Sequence, residues 1–104
     1  GKEAAIGFVD LTDFSPEHHR AEVGILLLPA YRGQGYGKKA LQLLETYARE
    51  ILSLQNLYAF VPAGNIASQR LFRKAAYDEV GLLSDWFFFG GAYRNAYFFQ
   101  KKLS

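Results

Sequence analysis

The chain alternates apolar runs of period two with two stretches of helical period. Over Ala4–Leu11, Ile6, Phe8 and Asp10 fall on one face, which predicts a first strand. Thr12–Arg20 holds Asp13, Ser15-Pro16 and His18-His19 and predicts a turn-rich connection. Ala21–Leu28 is mostly apolar and reads as a central strand that Pro29 ends. Ala40, Leu41, Leu44, Tyr47, Ala48 and Ile51 then recur at helical spacing, predicting an amphipathic helix over Gly37–Leu52. Leu57–Val61 predicts a third strand, closed by Pro62-Ala63-Gly64. Asn65 can cap a second helix running to about Ala75. Tyr77–Phe89 and Tyr93–Leu103 predict an aromatic hairpin turned at Gly90-Gly91. The order β-β-α-β-α-β-β, without linker or repeat, predicts one α/β domain over residues 1–104.

Composition narrows the function classes. A hydrophobic share of 50% and an aromatic share of 16% supply a core and exclude disorder. The net charge is only +2 and the basic residues form no long run, which argues against a nucleic-acid partner. The absence of cysteine excludes disulfides and thiolate metal sites and fits a cytoplasmic setting. No signal peptide and no apolar run near membrane-spanning length is present, so no membrane partner is expected. His18 and His19 point opposite ways in a turn, and no neighbouring carboxylate spacing completes a metal site. No metal is expected.

Between the second strand and the first helix lies Tyr31-Arg32-Gly33-Gln34-Gly35-Tyr36-Gly37-Lys38. Its alternating glycines free the backbone to take φ > 0 and leave no Cβ in the way of a ligand. The loop empties into a helix N-terminus, where unpaired N–H groups and the positive dipole end favour a phosphate. A P-loop is excluded, because Gly37-Lys38 is followed by Lys39 and Arg32 stands where the first glycine belongs. Gly33, Gly35 and Gly37 give G-x-G-x-G, which excludes the G-x-G-x-x-G dinucleotide fingerprint as well. A tight strand-to-helix turn is the plainer alternative.

Arg32-Gly33-Gln34-Gly35-Tyr36-Gly37 matches Arg/Gln-x-x-Gly-x-Gly/Ala and so resembles the acetyl-CoA signature of the GNAT superfamily of N-acetyltransferases. Asn65-Ile66-Ala67-Ser68-Gln69-Arg70-Leu71-Phe72-Arg73-Lys74-Ala75-Ala76-Tyr77 resembles that family's Asn-x-x-(Ala/Ser)-x-x-(Leu/Ile)-Tyr-x-Lys-x-Gly-Phe segment. Trp86–Ala96 resembles the terminal hairpin of its spermidine and ribosomal-protein branches. The resemblance covers nearly the whole chain from Ile6. It implies a mostly antiparallel mixed sheet flanked by helices, here without the strand and two helices that usually come first. A chain with no methionine that opens Gly1-Lys2-Glu3 is therefore expected to be a partial domain.

The resemblance further implies acetyl-CoA as cosubstrate and direct attack of an amine on the thioester. Backbone N–H groups from Gly33 through Gln34, Gly35, Tyr36 and Gly37 to Lys38 would hold the pyrophosphate, with charge from Arg32 and Lys38. Backbone groups of Ile25, Leu26 and Leu27 would pair with the pantetheine arm, and Asn65 would touch it. An N–H freed where the strands splay would stabilise the thioester oxygen. Glu22 is the candidate base, needed because an alkylammonium titrates near pH ~10; an exposed strand start pairing with Arg20 or a lysine is the alternative. Phe72 occupies the position of the usual tyrosine acid and cannot donate a proton. Arg70, Arg73 and Lys74 read as a solvated helix face, and Trp86 with Phe87-Phe88-Phe89 as core and interface. The acceptor that the resemblance implies is a small-molecule amine, such as a spermidine-like polyamine, or a protein N-terminus. A coenzyme-A-binding module with little catalysis and a homo-oligomer built on the aromatic hairpin are the competing readings.

Overall fold

A computed structural model describes residues 7–27 and 35–103, with side chains from 10–25 and 35–103. Ala4–Ile6, Leu28, Pro29, Arg32, Gly33 and Gln34, on which several of these expectations fall, lie outside the described residues. The elements are β1 (Gly7–Ser15), β2 (Arg20–Leu27), α1 (Tyr36–Glu50), β3 (Asn56–Pro62), α2 (Ile66–Lys74), β4 (Asp78–Phe89) and β5 (Ala92–Lys102). They form one open sheet of five strands in the order β1-β2-β3-β5-β4. Only β2 and β3 run parallel; the other neighbours are antiparallel. The central position belongs to β3, not to β2 as its apolar run implied.

Both helices cover one face of the sheet. Leu57, Ala59 and Val61 alternate into that face, as period two requires. Phe72 of α2 stacks on Phe99 of β5 at 5.6 Å and meets Tyr77 edge-on at 4.9 Å. Gly37 lets α1 approach α2, because a Cβ there would lie 3.0 Å from Leu71 Cδ2. The buried stripe of α1 is Gly37, Leu41, Glu45 and Ala48. Tyr47 and Ile51, assigned to the apolar face by spacing, are 50% and 66% exposed. The stripe is rotated because Glu45 turns inward to Lys101 of β5. Lys101 Nζ sits 3.0 Å from Glu45 Oε1 and donates to the Ala75 carbonyl at 2.7 Å.

Two turns depart from or refine the sequence pattern. The expected connection over Thr12–Arg20 is mostly strand, and only residues 16–19 turn. Asp13 takes φ 49 and the β1–β2 register shifts between Thr12 and Ser15, so a bulge absorbs the extra residue and the pairing resumes. His19 anchors the turn by Nδ1 to the Ser53 carbonyl at 3.0 Å. The hairpin turns at Gly90 and Gly91, φ 63 and 73, a two-residue turn that needs φ > 0 at both central positions. Phe88 and Phe89 beside it are 64% and 49% exposed and do not enter the core.

Candidate functional site

The parallel pair defines the site. β2 and β3 are in register only at Arg20–Asn56, Ala21–Leu57 and Glu22–Tyr58. Beyond that, β2 stays with β1 as far as Leu27 and β3 stays with β5 as far as Pro62. From Val23 and Ala59 onward the two strands diverge, and their facing edges offer backbone N–H and C=O groups to a cleft. Such edges pair with an extended amide-bearing chain as a further strand would. Ile25, Leu26 and Leu27 lie on this free stretch of β2.

In a strand-helix-strand crossover the helix starts at the carboxyl ends of its strands, so α1 opens where β2 and β3 part. Gly35 caps it at φ 82, in the left-handed region, with nothing within 4 Å of an added Cβ. The first turn holds Lys38 and Lys39 and no acidic residue. Cations there oppose the helix dipole, costing about 0.3–1 kcal/mol each, unless an anion sits against the amides. Tyr36 and Lys38 are exposed, whereas Gly37 is buried against Leu71, so its missing side chain serves helix packing. The open, glycine-capped turn and its two lysines fit a pyrophosphate, and the cleft edge fits an amide-bearing arm.

On the face away from the helices, three carboxylates gather at the start of the cleft. Glu22 is on β2 opposite Thr12, and Asp10 is on β1 opposite Gly24. A Cβ at Gly24 would strike the Asp10 carboxylate, so the glycine is what lets Asp10 lie over β2. Asp13, in the bulge, accepts the Tyr58 hydroxyl at Oδ2, 2.6 Å away. Burial, then Asp13, then Asp10 push the Glu22 carboxyl above its ordinary range. Burial first, then the Asp13 hydrogen bond and charge, push the Tyr58 phenol up to about 12. Among the described residues Glu22 makes no ion pair, so the Arg20 alternative is not realised. Asp13 and Asp10 repel the Glu22 carboxylate, and a cation bound among the three would relieve that repulsion.

Next to the carboxylates runs an array of rings. Phe60 stacks on Phe98 at 5.0 Å and on Trp86 at 5.3 Å, and Tyr58 meets Phe60 and Phe98 edge-on at 5.8 Å. Phe72 lies on the other face, 1% exposed. The structure therefore brings Glu22 together with Asp10, Asp13 and Tyr58, and sets Phe72 across the sheet from them. Asn65 caps α2, its Oδ1 accepting from the Ser68 amide at 3.1 Å. Arg73 is tied to Glu79 at 2.6 Å rather than facing α1, while Arg70 and Lys74 are exposed. Sequence reasoning missed Asp10, Asp13, Tyr58 and Gly24 as site residues. Acidic residues inside apolar strands were the available signal, but only the strand register shows that they converge.

Among the described residues no group of His, Asp and Glu is placed to hold a metal, and no helix is long and apolar enough to cross a membrane. Comparison with known proteins gives one direction. The family described as "Acetyltransferase (GNAT) domain" matches residues 1–77. Spermidine N(1)-acetyltransferase of Escherichia coli (strain K12) is 36% identical over 90 residues, covering 86% of this chain and 48% of that enzyme. This chain thus spans about half the length of the curated relatives it matches. The crystal structure of spermidine N-acetyltransferase from Vibrio cholerae in complex with CoA and spermine superposes with a TM-score of 0.86 at 26% identity. That match covers 94% of this chain and 58% of the other. The dodecameric structure of the same Vibrio cholerae enzyme in an intermediate state also gives 0.86 at 26% identity, over 96% and 58% of the two chains.

Proposed function

Because the chain belongs to the GNAT acetyltransferase family, we propose that it transfers an acetyl group from acetyl-CoA to a primary amine of a spermidine-like polyamine. The observation that carries this reading is the cluster Asp10, Asp13 and Glu22 at the mouth of a cleft whose other end is a glycine-capped helix N-terminus. Acetyl-CoA, when bound, supplies the thioester carbonyl that the amine attacks. The α1 amides with Lys38 and Lys39 hold the pyrophosphate, and the free edges of β2 and β3 align the pantetheine arm. Asp10 and Asp13 keep the polyamine's distal ammonium groups. Glu22, raised toward neutrality, takes the proton from the attacking nitrogen, directly or through water.

The amine enters from the carboxylate side, the face away from the helices, while Phe72 stays buried on the other face. A polycation suits three carboxylates better than the single charge of a protein N-terminus. The relatives' printed activities and the dodecamer of the Vibrio cholerae enzyme support a polyamine acceptor and a homo-oligomer. A second reading, coenzyme binding with little turnover, is favoured by Phe72, which has no hydroxyl to protonate the leaving sulfur.

The test is a calorimetric titration of the chain with coenzyme A, beside an assay of thiol release with spermidine. Micromolar binding is expected, weakened about tenfold in Gly35→Asp by repulsion of the phosphates. Gly35→Ala, with open space for its Cβ and about 1 kcal/mol of left-handed strain, is expected to lose less. Equal loss in both variants, or none in either, rejects the phosphate cradle; binding without thiol release selects the second reading.

A further inference from the structure

The proposal above rests on carboxylates whose placement has to be maintained, and one side chain outside that trio does so. Tyr58 sits on β3 at the last pair before β2 and β3 part. Its hydroxyl does not bond to β2, its neighbour, but reaches Asp13 on β1, two strands away. The ring thus lies across β2, in the interval between the Glu22 and Arg20 positions. Phe60 and Phe98 hold that ring edge-on from the far side. The bond is received at a backbone position that is itself unusual. Asp13 is a non-glycine residue at φ 49, inside the bulge that interrupts the β1–β2 register. A left-handed non-glycine residue in a bulge persists only where its surroundings determine it, and bulges re-aim side chains.

We infer that Tyr58 is a positioning residue for the acceptor amine: through its hydroxyl it straps β3 to β1 across β2 and fixes the Asp13 carboxylate beside Glu22 at the mouth of the cleft. Among the described residues the Tyr58 hydroxyl is the hydrogen-bond partner that orients Asp13 over β2, and without it the second ammonium of a polyamine loses a fixed counter-charge. This inference deepens the acetyl-transfer reading and depends on it for the identity of the acceptor. Coenzyme binding, on the backbone edges and the α1 turn, does not involve the strap.

The measurement is a comparison of the wild-type chain with Tyr58→Phe, Asp13→Asn and the double variant, using spermidine as the probe amine. Spermidine KM, acetyl-CoA KM and kcat are read by thiol release, and spermidine Kd by calorimetry. Tyr58→Phe is expected to raise spermidine KM and Kd roughly 2- to 10-fold, the range for one lost hydrogen bond, with acetyl-CoA KM unchanged. Asp13→Asn should do at least as much, and the double variant should be no worse than Asp13→Asn alone. Additive losses, equal changes in both KM values, or a silent Tyr58→Phe each overturn the positioning role. Spermidine binding weakened by Tyr58→Phe without any turnover upholds the strap and rejects acetyl transfer. Turnover with a silent Tyr58→Phe does the reverse, and no amine binding at all rejects both.

Discussion

Replacing Lys101 with Met tests what anchors α1, and with it the glycine-capped turn at its start, to the sheet. Lys101 Nζ bridges Glu45 Oε1 at 3.0 Å and the Ala75 carbonyl at 2.7 Å, so it links α1, β5 and the end of α2. The Lys101 and Glu45 side chains are 25% and 10% exposed, and Glu45 Oε2 already has no hydrogen-bond partner. The Tyr77 hydroxyl is buried next to Glu45 without an aligned bond to it, and burial together with that carboxylate pushes the phenol well up. Methionine keeps the stem and removes the charge, leaving Glu45 as a buried anion and the Ala75 carbonyl unpaired. Breaking a buried pair costs about 3–5 kcal/mol. The quarter exposure of Lys101 lets water recover some of this, so a loss of about 2–4 kcal/mol is expected. Against a total of about 5–15 kcal/mol for a domain, that is a large fraction. It corresponds to a Tm lower by roughly 10–25 °C. Urea unfolding of Lys101→Met, Glu45→Leu and the double variant measures it, and the double variant should recover most of the loss because nothing charged is left buried. A Lys101→Met loss under about 1 kcal/mol, or a double variant as unstable as the single, would refute the reasoning.

Two substitutions address the chemistry directly. Glu22→Gln is expected to lower kcat/KM for spermidine about 10²-fold at neutral pH, the deficit shrinking toward acid as the wild-type carboxylate itself protonates. The same variant should be more stable than wild type at neutral pH. The raised Glu22 carboxyl binds a proton more tightly folded than unfolded, so its contribution to stability is complete below its ordinary value near pH ~4.3 and lost as pH rises through the folded value. Parallel pH profiles for rate and melting in the two proteins would remove Glu22 from the mechanism. Phe72→Tyr should destabilise by about 1–3 kcal/mol, because a hydroxyl enters a ring packed between Tyr77 and Phe99. If that hydroxyl faces the cleft, turnover should rise roughly tenfold, less than for a full general acid because a thiol of pKa ~8.5 leaves readily. Lost stability with unchanged turnover would make Phe72 a core residue alone.

The sequence by itself determined the number, order and type of elements, since these follow from local periods and from single residues with strong backbone preferences. Period two and period 3.6 separate strands from helices, Asn65 caps α2 as its side chain allows, and Gly90-Gly91 supplies the only dipeptide of the hairpin able to take φ > 0 twice without strain. What only the tertiary structure decided is which residues meet. Asp10, Asp13, Glu22 and Tyr58 come from three strands, and their convergence depends on strand register and on a one-residue bulge that shifts it. Gly24 reads as an ordinary strand glycine until Asp10 is seen to occupy the space of its missing side chain. The inward turn of Glu45, which rotated the buried stripe of α1 away from Tyr47 and Ile51, answers to Lys101, 56 residues further along the chain. A local pattern reports the backbone each residue prefers; long-range pairing is set by the balance of burial and charge across the folded sheet.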